Sequence, residues 1–160
     1  MVETTLQLPD VEATERAGAA LASALHGGMV VTLSGDLGAG KTSFARGVLR
    51  GLGWTGRVKS PTYALVEHYE FSSLYLYHFD FYRFEDSHDW ESTGFAEYFR
   101  DDAACLVEWP ERVAGVLPRV DVAVRLVPAD GGRELVAVAG TSAGRQCLNA
   151  MAAACAGPVP

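Results

Sequence analysis

No run of roughly 18 apolar residues occurs in this 160-residue sequence, which leaves no candidate for a membrane-spanning helix. The opening, MVETTLQLPD, places acidic residues where a secretory signal would carry a basic segment leading into a long apolar one. Cysteine is scarce: Cys105, Cys147 and Cys155 are odd in number and lack metal-site spacing, which suits a reducing cytoplasm. The four histidines are scattered. Only His78, close to Asp80, has a ligand-like companion, and it reads as a packed or solvated strand residue. Basic charge is also short, with a net charge of -7 and a pI near 5.0, which argues against a long phosphate-tracking surface for nucleic acid and leaves room only for a small basic patch. Lysine appears at positions 41 and 59 alone, the other eleven basic residues being arginine.

Glycine, in contrast, is plentiful, with 17 in the chain, and it concentrates where one of the two lysines stands. The stretch GDLGAGKT, from Gly35 to Thr42, fits G-x-x-x-x-G-K-[ST]. In that motif glycine-rich backbone turns its N–H groups inward around phosphates, the lysine reaches the terminal ones, and the hydroxyl holds magnesium. The flanks agree. Met29 to Leu33 reads as a buried strand, and Thr42 to Leu52 as a helix whose N-terminus offers free N–H donors and partial positive charge. Asp36, Leu37, Gly38, Ala39, Gly40, Lys41, Thr42 and Ser43 are therefore the expected phosphate cradle.

The rest of the chain alternates helix and strand patterns. Thr4 to Leu8 reads as a short edge strand. Asp10 then caps a helix with an apolar stripe of Ala17, Ala20, Leu21, Ala24 and Leu25, ended by Gly27 and Gly28. ALVEHYEF and LYLYHFDFYRF, separated by Ser72 and Ser73, suggest an antiparallel hairpin. AACLVEW is the short apolar run of a central strand buried on both faces, and VDVAVRLV with ELVAVAG forms a second hairpin around PADGGR. The domain expected from this pattern spans residues 1–140. Residues 141–160, rich in alanine, read as a loose helix or tail outside the core.

Two carboxylates close strands. Glu108 ends AACLV and Asp80 ends LYLYHF, so both would reach the edge of the sheet near the phosphate loop if those strands are neighbours. There they could serve a metal ion or an attacking water. Lys59, Ser60 and Thr62 flank Pro61 in a loop able to reach the terminal phosphate, as switch loops do, although a plain proline turn explains the same residues. Residues 85–102 carry Glu85, Asp86, Asp89, Glu91, Glu97, Asp101 and Asp102 against Arg100 alone. They read either as a solvated helical face or as a docking face for a basic protein.

The series GDLGAGKTSF, VKSPTYALVEHY, YHFDFYR and CLVEWPER, in this order within one small domain, resembles the TsaE (YjeE) family over roughly Thr4 to Ala139. The first motif belongs to a whole superfamily, whereas the other three in series are specific. The resemblance implies a three-layer α/β P-loop NTPase fold with a mixed central sheet. It implies ATP hydrolysis with magnesium, and work with TsaB and TsaD in attaching threonylcarbamoyl to the tRNA adenosine beside the anticodon. It further implies that Lys41 and Thr42 belong to the phosphate and magnesium site, that Ser60 to Tyr63 form a switch-like loop, that Asp80 and Glu108 serve magnesium and hydrolysis, and that Trp109 lies beside the nucleotide. tRNA would be met only indirectly, in the cytoplasm. Two other classes share the loop. A small-molecule kinase would need an acceptor pocket and an arginine-bearing lid, for which Arg83 and Arg112 are the suggestive residues. A guanine-nucleotide switch would need an Asn/Thr-Lys-x-Asp segment, which is absent, Asn149 being the sole asparagine.

Overall fold

The computed structural model describes residues 2–85, 88–91 and 93–155. In chain order they form β1 (Val2–Leu8), α1 (Val11–Ala22), β2 (Val30–Ser34), α2 (Lys41–Gly51), β3 (Val66–Glu70), β4 (Tyr75–Asp80), α3 (His88–Glu91), β5 (Ala103–Glu108), β6 (Val122–Ala129), β7 (Gly132–Ala139) and α4 (Ser142–Ala154). Two short 3-10 turns, Phe95–Tyr98 and Pro110–Val113, flank β5. The strands make one sheet in the order β1-β7-β6-β2-β5-β4-β3. Its centre is parallel, β2 lying between β5 and β6 and β4 beside β5, while both hairpins and β1 add antiparallel pairs.

Every residue of β5 is buried, so alternate side chains feed two separate cores. Ala104 and Leu106 join Leu76, Val31 and Leu33 beneath α1, α2 and α4. Ala103, Cys105 and Val107 face the opposite way, into an aromatic core with Tyr77, Phe79, Phe81, Phe84, Trp90 and Phe95. Helices on one side and the short α3 and 3-10 segments on the other complete the three layers of a mixed-sheet α/β fold. Burial raises the Cys105 thiol to about 12 and the Cys147 thiol to about 11, which keeps both protonated.

Helix α1 begins where expected, with Asp10 Oδ1 accepting from the Ala13 N–H at 2.8 Å. It stops at Ala22, ahead of the Gly27–Gly28 pair, where the Ser23 hydroxyl donates to the Ala20 carbonyl at 2.7 Å. It packs on α2 backbone to backbone. A Cβ at Gly18 would overlap the Phe44 carbonyl, and one at Gly47 would overlap the Glu15 carbonyl, so glycine is required on both sides of the crossing.

The acidic segment is partly a core element: Trp90 and Phe95 are buried among the aromatic residues while Glu85, Asp101 and Asp102 are exposed. Asp86 lies outside the described residues.

One expectation needs correction. The stretch from residue 141 is not a tail outside the core over its described part. Thr141 caps α4 by accepting from the Gly144 N–H at 3.1 Å, and Cys147, Leu148 and Met151 are fully buried in the helical core. Asp121, itself fully buried, fastens this helix to the sheet, accepting from the Val30 N–H at 2.8 Å and from the Thr141 hydroxyl at 2.6 Å. Small residues hid an amphipathic stripe, because alanine and cysteine pack as core without looking strongly apolar. Residues 156–160 are outside the described part. Leu148→Ala should accordingly cost about 2–5 kcal/mol, lowering the melting temperature by roughly 2–4 °C per kcal/mol. A calorimetric melt unchanged within about a degree would remove α4 from the core.

Candidate nucleotide site

Strand β2 ends at Ser34, and the chain turns through Gly35 to Gly40 before α2 starts at Lys41. Gly40 occupies the position ahead of the helix with φ 109°, a conformation that a side chain would strain, and makes no side-chain cap. This separates α2 from its neighbours. The N-termini of α1 and α4 are closed by Asp10 and Thr141, whereas the first N–H groups of α2 are left for something other than a capping side chain.

Facing this end are the two carboxylates. The parallel pairing of β4 with β5 sets Asp80 opposite Glu108, and the pairing of β2 with β5 sets Leu33 opposite Glu108, so the strands that needed to be neighbours are. Asp80 and Glu108 point to the helical side of the sheet and are 6% and 5% exposed. Asp80 Oδ1 accepts from the Tyr82 N–H at 2.9 Å. Burial raises the Asp80 carboxyl above its ordinary range, opposed by that N–H, with the Glu108 charge raising it further. Lys41, also buried, is lowered from the ordinary lysine range by burial, against the pull of Glu108 and Asp80.

Lys41 Nζ donates to the Gly35 carbonyl at 2.6 Å and sits 4.0 Å from the centroid of the Trp109 ring. Trp109 adopts φ 56°, unusual for a residue with a side chain, and its ring also meets Tyr82 at 4.9 Å.

The loop after α2 is tied to the same place. The Thr62 hydroxyl contacts Asp80 Oδ2 at 3.5 Å and the Ser60 hydroxyl at 2.7 Å, while the Leu65 carbonyl accepts from the Asp80 N–H at 3.0 Å. Tyr63 projects outward, 82% exposed, with the Arg83 guanidinium 4.4 Å above its ring.

One pocket of about 250 Å³ is lined by Leu37, Gly38, Gly40, Lys41, Thr42, Ser43, Thr62, Asp80, Glu108 and Trp109, together with Ser60 and Arg133. Asp36 and Ala39 are not in its wall; Ala39 is buried and donates to the Asp36 carbonyl at 3.0 Å, which shapes the turn. A smaller cavity of about 140 Å³ shares Gly40, Ser43 and Arg133 and runs on to Pro9, Asp10, Val11 and Thr14. Lys59 lies off the pocket wall, donating its backbone N–H to the Tyr69 hydroxyl at 3.1 Å.

One residue of this site carries no sequence signal; a second, His78, reads from sequence as a packed or solvated strand residue beside Asp80. Arg133, in the turn end of the second hairpin, donates to the Gly38 carbonyl at 2.9 Å. His78 is 1% exposed, and its Nε2 lies 2.6 Å from Glu108 Oε2. The period of two along β4 puts His78 on the same face as Asp80, a signal present in YHFD; nothing in PADGGR marks Arg133.

Among the described residues, no group of three His, Cys, Asp or Glu could hold a metal by itself. The oxygen donors Thr42, Asp80 and Glu108 suit a hard cation that keeps water and takes substrate phosphates as further ligands.

The raised Asp80 carboxyl carries a stability consequence. The folded chain holds a proton at pH values where the unfolded chain has released it, so stability falls as pH rises through that interval. Without nucleotide or metal, Asp80→Asn should melt above the unsubstituted chain at pH 7, with the gain fading toward the ordinary carboxylate range. A lower melting temperature at pH 7 would mean that attraction to Lys41 outweighs the cost of burial.

Similarity to known proteins agrees with this geometry. Residues 8–135 match the family model "Threonylcarbamoyl adenosine biosynthesis protein TsaE". A TsaE protein of Haemophilus influenzae is 44% identical over 122 residues, covering 76% of this chain and 77% of that protein. One from Treponema pallidum is 42% identical over 123 residues, covering 76% and 90%. The crystal structure of YdiB from Bacillus subtilis superposes with a TM-score of 0.77 at 29% identity, covering 95% of this chain and 94% of the other. No helix among the described residues is long and apolar enough to cross a membrane. The chain belongs to the TsaE family of threonylcarbamoyladenosine biosynthesis proteins, with a P-loop nucleotide-binding fold.

Proposed function

We propose that this chain is a magnesium-dependent ATPase of the cytoplasm that supports threonylcarbamoyl modification of the tRNA adenosine next to the anticodon, acting through TsaB and TsaD. The observation that carries the reading is the uncapped N-terminus of α2 opposed, across one pocket, by the cross-strand pair Asp80 and Glu108. Donors for phosphate and acceptors for a cation meet there.

The N–H groups of Leu37, Gly38, Gly40, Lys41, Thr42 and Ser43 cradle the phosphates, Asp36 and Ala39 shape the turn that holds them, and Lys41 leaves the Gly35 carbonyl to reach the terminal ones. Thr42, Glu108 and Asp80 hold magnesium, directly or through water. An ion held there would supply positive charge against the phosphates. Asp80 or Glu108 orients the attacking water. Thr62, already in contact with Asp80, lets the loop from Lys59 to Tyr63 respond to the terminal phosphate. Trp109 borders the nucleotide, and the smaller cavity between Pro9 and Arg133 accommodates the adenosine end. The net charge of -7 leaves tRNA to the partner proteins. The outward Tyr63 and the acidic stretch of residues 85–102 are the surfaces offered to them.

Lys41→Ala should weaken magnesium-ATP affinity by about ten- to a hundredfold, since a bond to a charged group is worth about 1.5–3 kcal/mol. Unchanged affinity by calorimetry in a folded variant would remove the phosphate-loop assignment. Glu108→Gln should lower turnover more than it lowers ATP affinity, whereas equal losses would make Glu108 a ground-state binding group. The isolated chain should release inorganic phosphate slowly and do so faster when TsaB and TsaD are added. Rapid turnover indifferent to both proteins, with phosphate passed to a metabolite, would replace the ATPase by a small-molecule kinase.

A further inference from the structure

The imidazole of His78 lies under the carboxylate pair, on the same face of β4 as Asp80 and one register step from Glu108. Its Nε2 is 2.6 Å from Glu108 Oε2, and both side chains are nearly out of water, at 1% and 6% exposed. The other ring nitrogen, Nδ1, is buried with no hydrogen-bond partner. The two nitrogens thus have opposite surroundings. A carboxylate accepts, so Nε2 carries the hydrogen; a proton on Nδ1 would be a buried donor with nothing to receive it. The geometry therefore aims the Nε2–H at one oxygen of Glu108.

Packing alone does not call for histidine here. The neighbours of this position on the same face of the sheet, Leu76 and Leu106, are fully buried leucines, and a leucine at 78 would continue that core without a buried polar pair. Glu108, by contrast, needs a donor. It stands beside a second carboxylate on the paired strand and closes a strand whose every other side chain is apolar. Without a partner on Oε2 the carboxylate could turn, and either oxygen could face the pocket.

We infer that His78 is a positioning residue: it fixes Oε2 of Glu108 so that Oε1 is presented to the pocket as the oxygen that serves the magnesium ion. This rests on the ATPase reading above. It concerns the orientation of Glu108 and requires no change in the protonation of either group.

The test compares two substitutions in the full chain. His78→Leu removes the donor and fills the space; His78→Gln returns an N–H at a similar reach. The first readout is the magnesium concentration giving half of the Trp109 fluorescence change at a fixed, saturating ADP concentration, in a chain with Trp54 and Trp90 replaced by phenylalanine. His78→Leu should raise that midpoint by about ten- to a hundredfold, the usual effect of losing a group that orients a metal ligand, and His78→Gln should return it to within a few-fold of the parent. In a Glu108→Gln background, His78→Leu should change the midpoint by less than about twofold, because the oriented group is already gone. Because His78→Leu leaves Glu108 buried without its donor, its melting temperature should fall, so the midpoints are read at a temperature below both melting transitions where circular dichroism shows each variant folded.

A parental midpoint in His78→Leu would overturn the inference, as would an equal effect of His78→Leu with and without Glu108 or a failure of His78→Gln to restore binding. Failure of the ATPase reading looks different: the parent chain would release no phosphate with or without TsaB and TsaD. The magnesium midpoints with ADP would still decide the role of His78.

Discussion

Two carboxylates side by side on paired parallel strands, both out of water, are an unstable arrangement unless something positive or donating meets them. Much of the candidate site answers that constraint. Lys41 supplies the nearby cation, the Tyr82 N–H and the Thr62 hydroxyl contact Asp80, and His78 takes one oxygen of Glu108. The cost is visible as opposite displacements of Asp80 and Lys41, each pushed toward its uncharged form by burial. A site held this way is poised for a ligand that brings both positive charge for the acids and negative charge for the lysine, which a metal-phosphate complex does.

The sheet divides labour between its faces. On the helical side, α1 and α2 are locked by the Gly18–Gly47 crossing, which sets the direction of α2 and hence of its open N-terminus. On the other side, the aromatic core of Phe79, Phe81, Phe95 and Phe99 stiffens β4 and β5 from behind, through stacked and edge contacts such as Phe79 with Phe99 at 5.5 Å. The carboxylates are thus carried on strands braced by packing rather than on free loops.

The legibility of this protein follows from period and punctuation. GDLGAGKT could be read because its chemistry needs those residue types at that spacing, and the flanking strand and helix differ from their expected bounds by a single residue at each end. AACLVEW was recognisable as a doubly buried strand because no polar residue breaks it before Glu108. Helix α4 escaped because alanine is ambiguous between surface and core until its partners are known, and Asp121, which ties it down, is distant in sequence from its donor Val30. Arg133 escaped for the same reason: its contact with Gly38 spans two elements that only the sheet order brings together.

The order of strands also bears on how the chain reaches this state. Strand β2 leads directly into the phosphate loop, yet it pairs with β5 and β6, and the acid that receives its first N–H comes 91 residues later. During synthesis the loop emerges early and has no sheet to stand on. The strands that flank β2, β5 and β6, are made only later, and pairing with them closes a large chain loop at an entropic cost. The nascent chain therefore carries its phosphate loop without either sheet neighbour of β2 until β5 and β6 have been made.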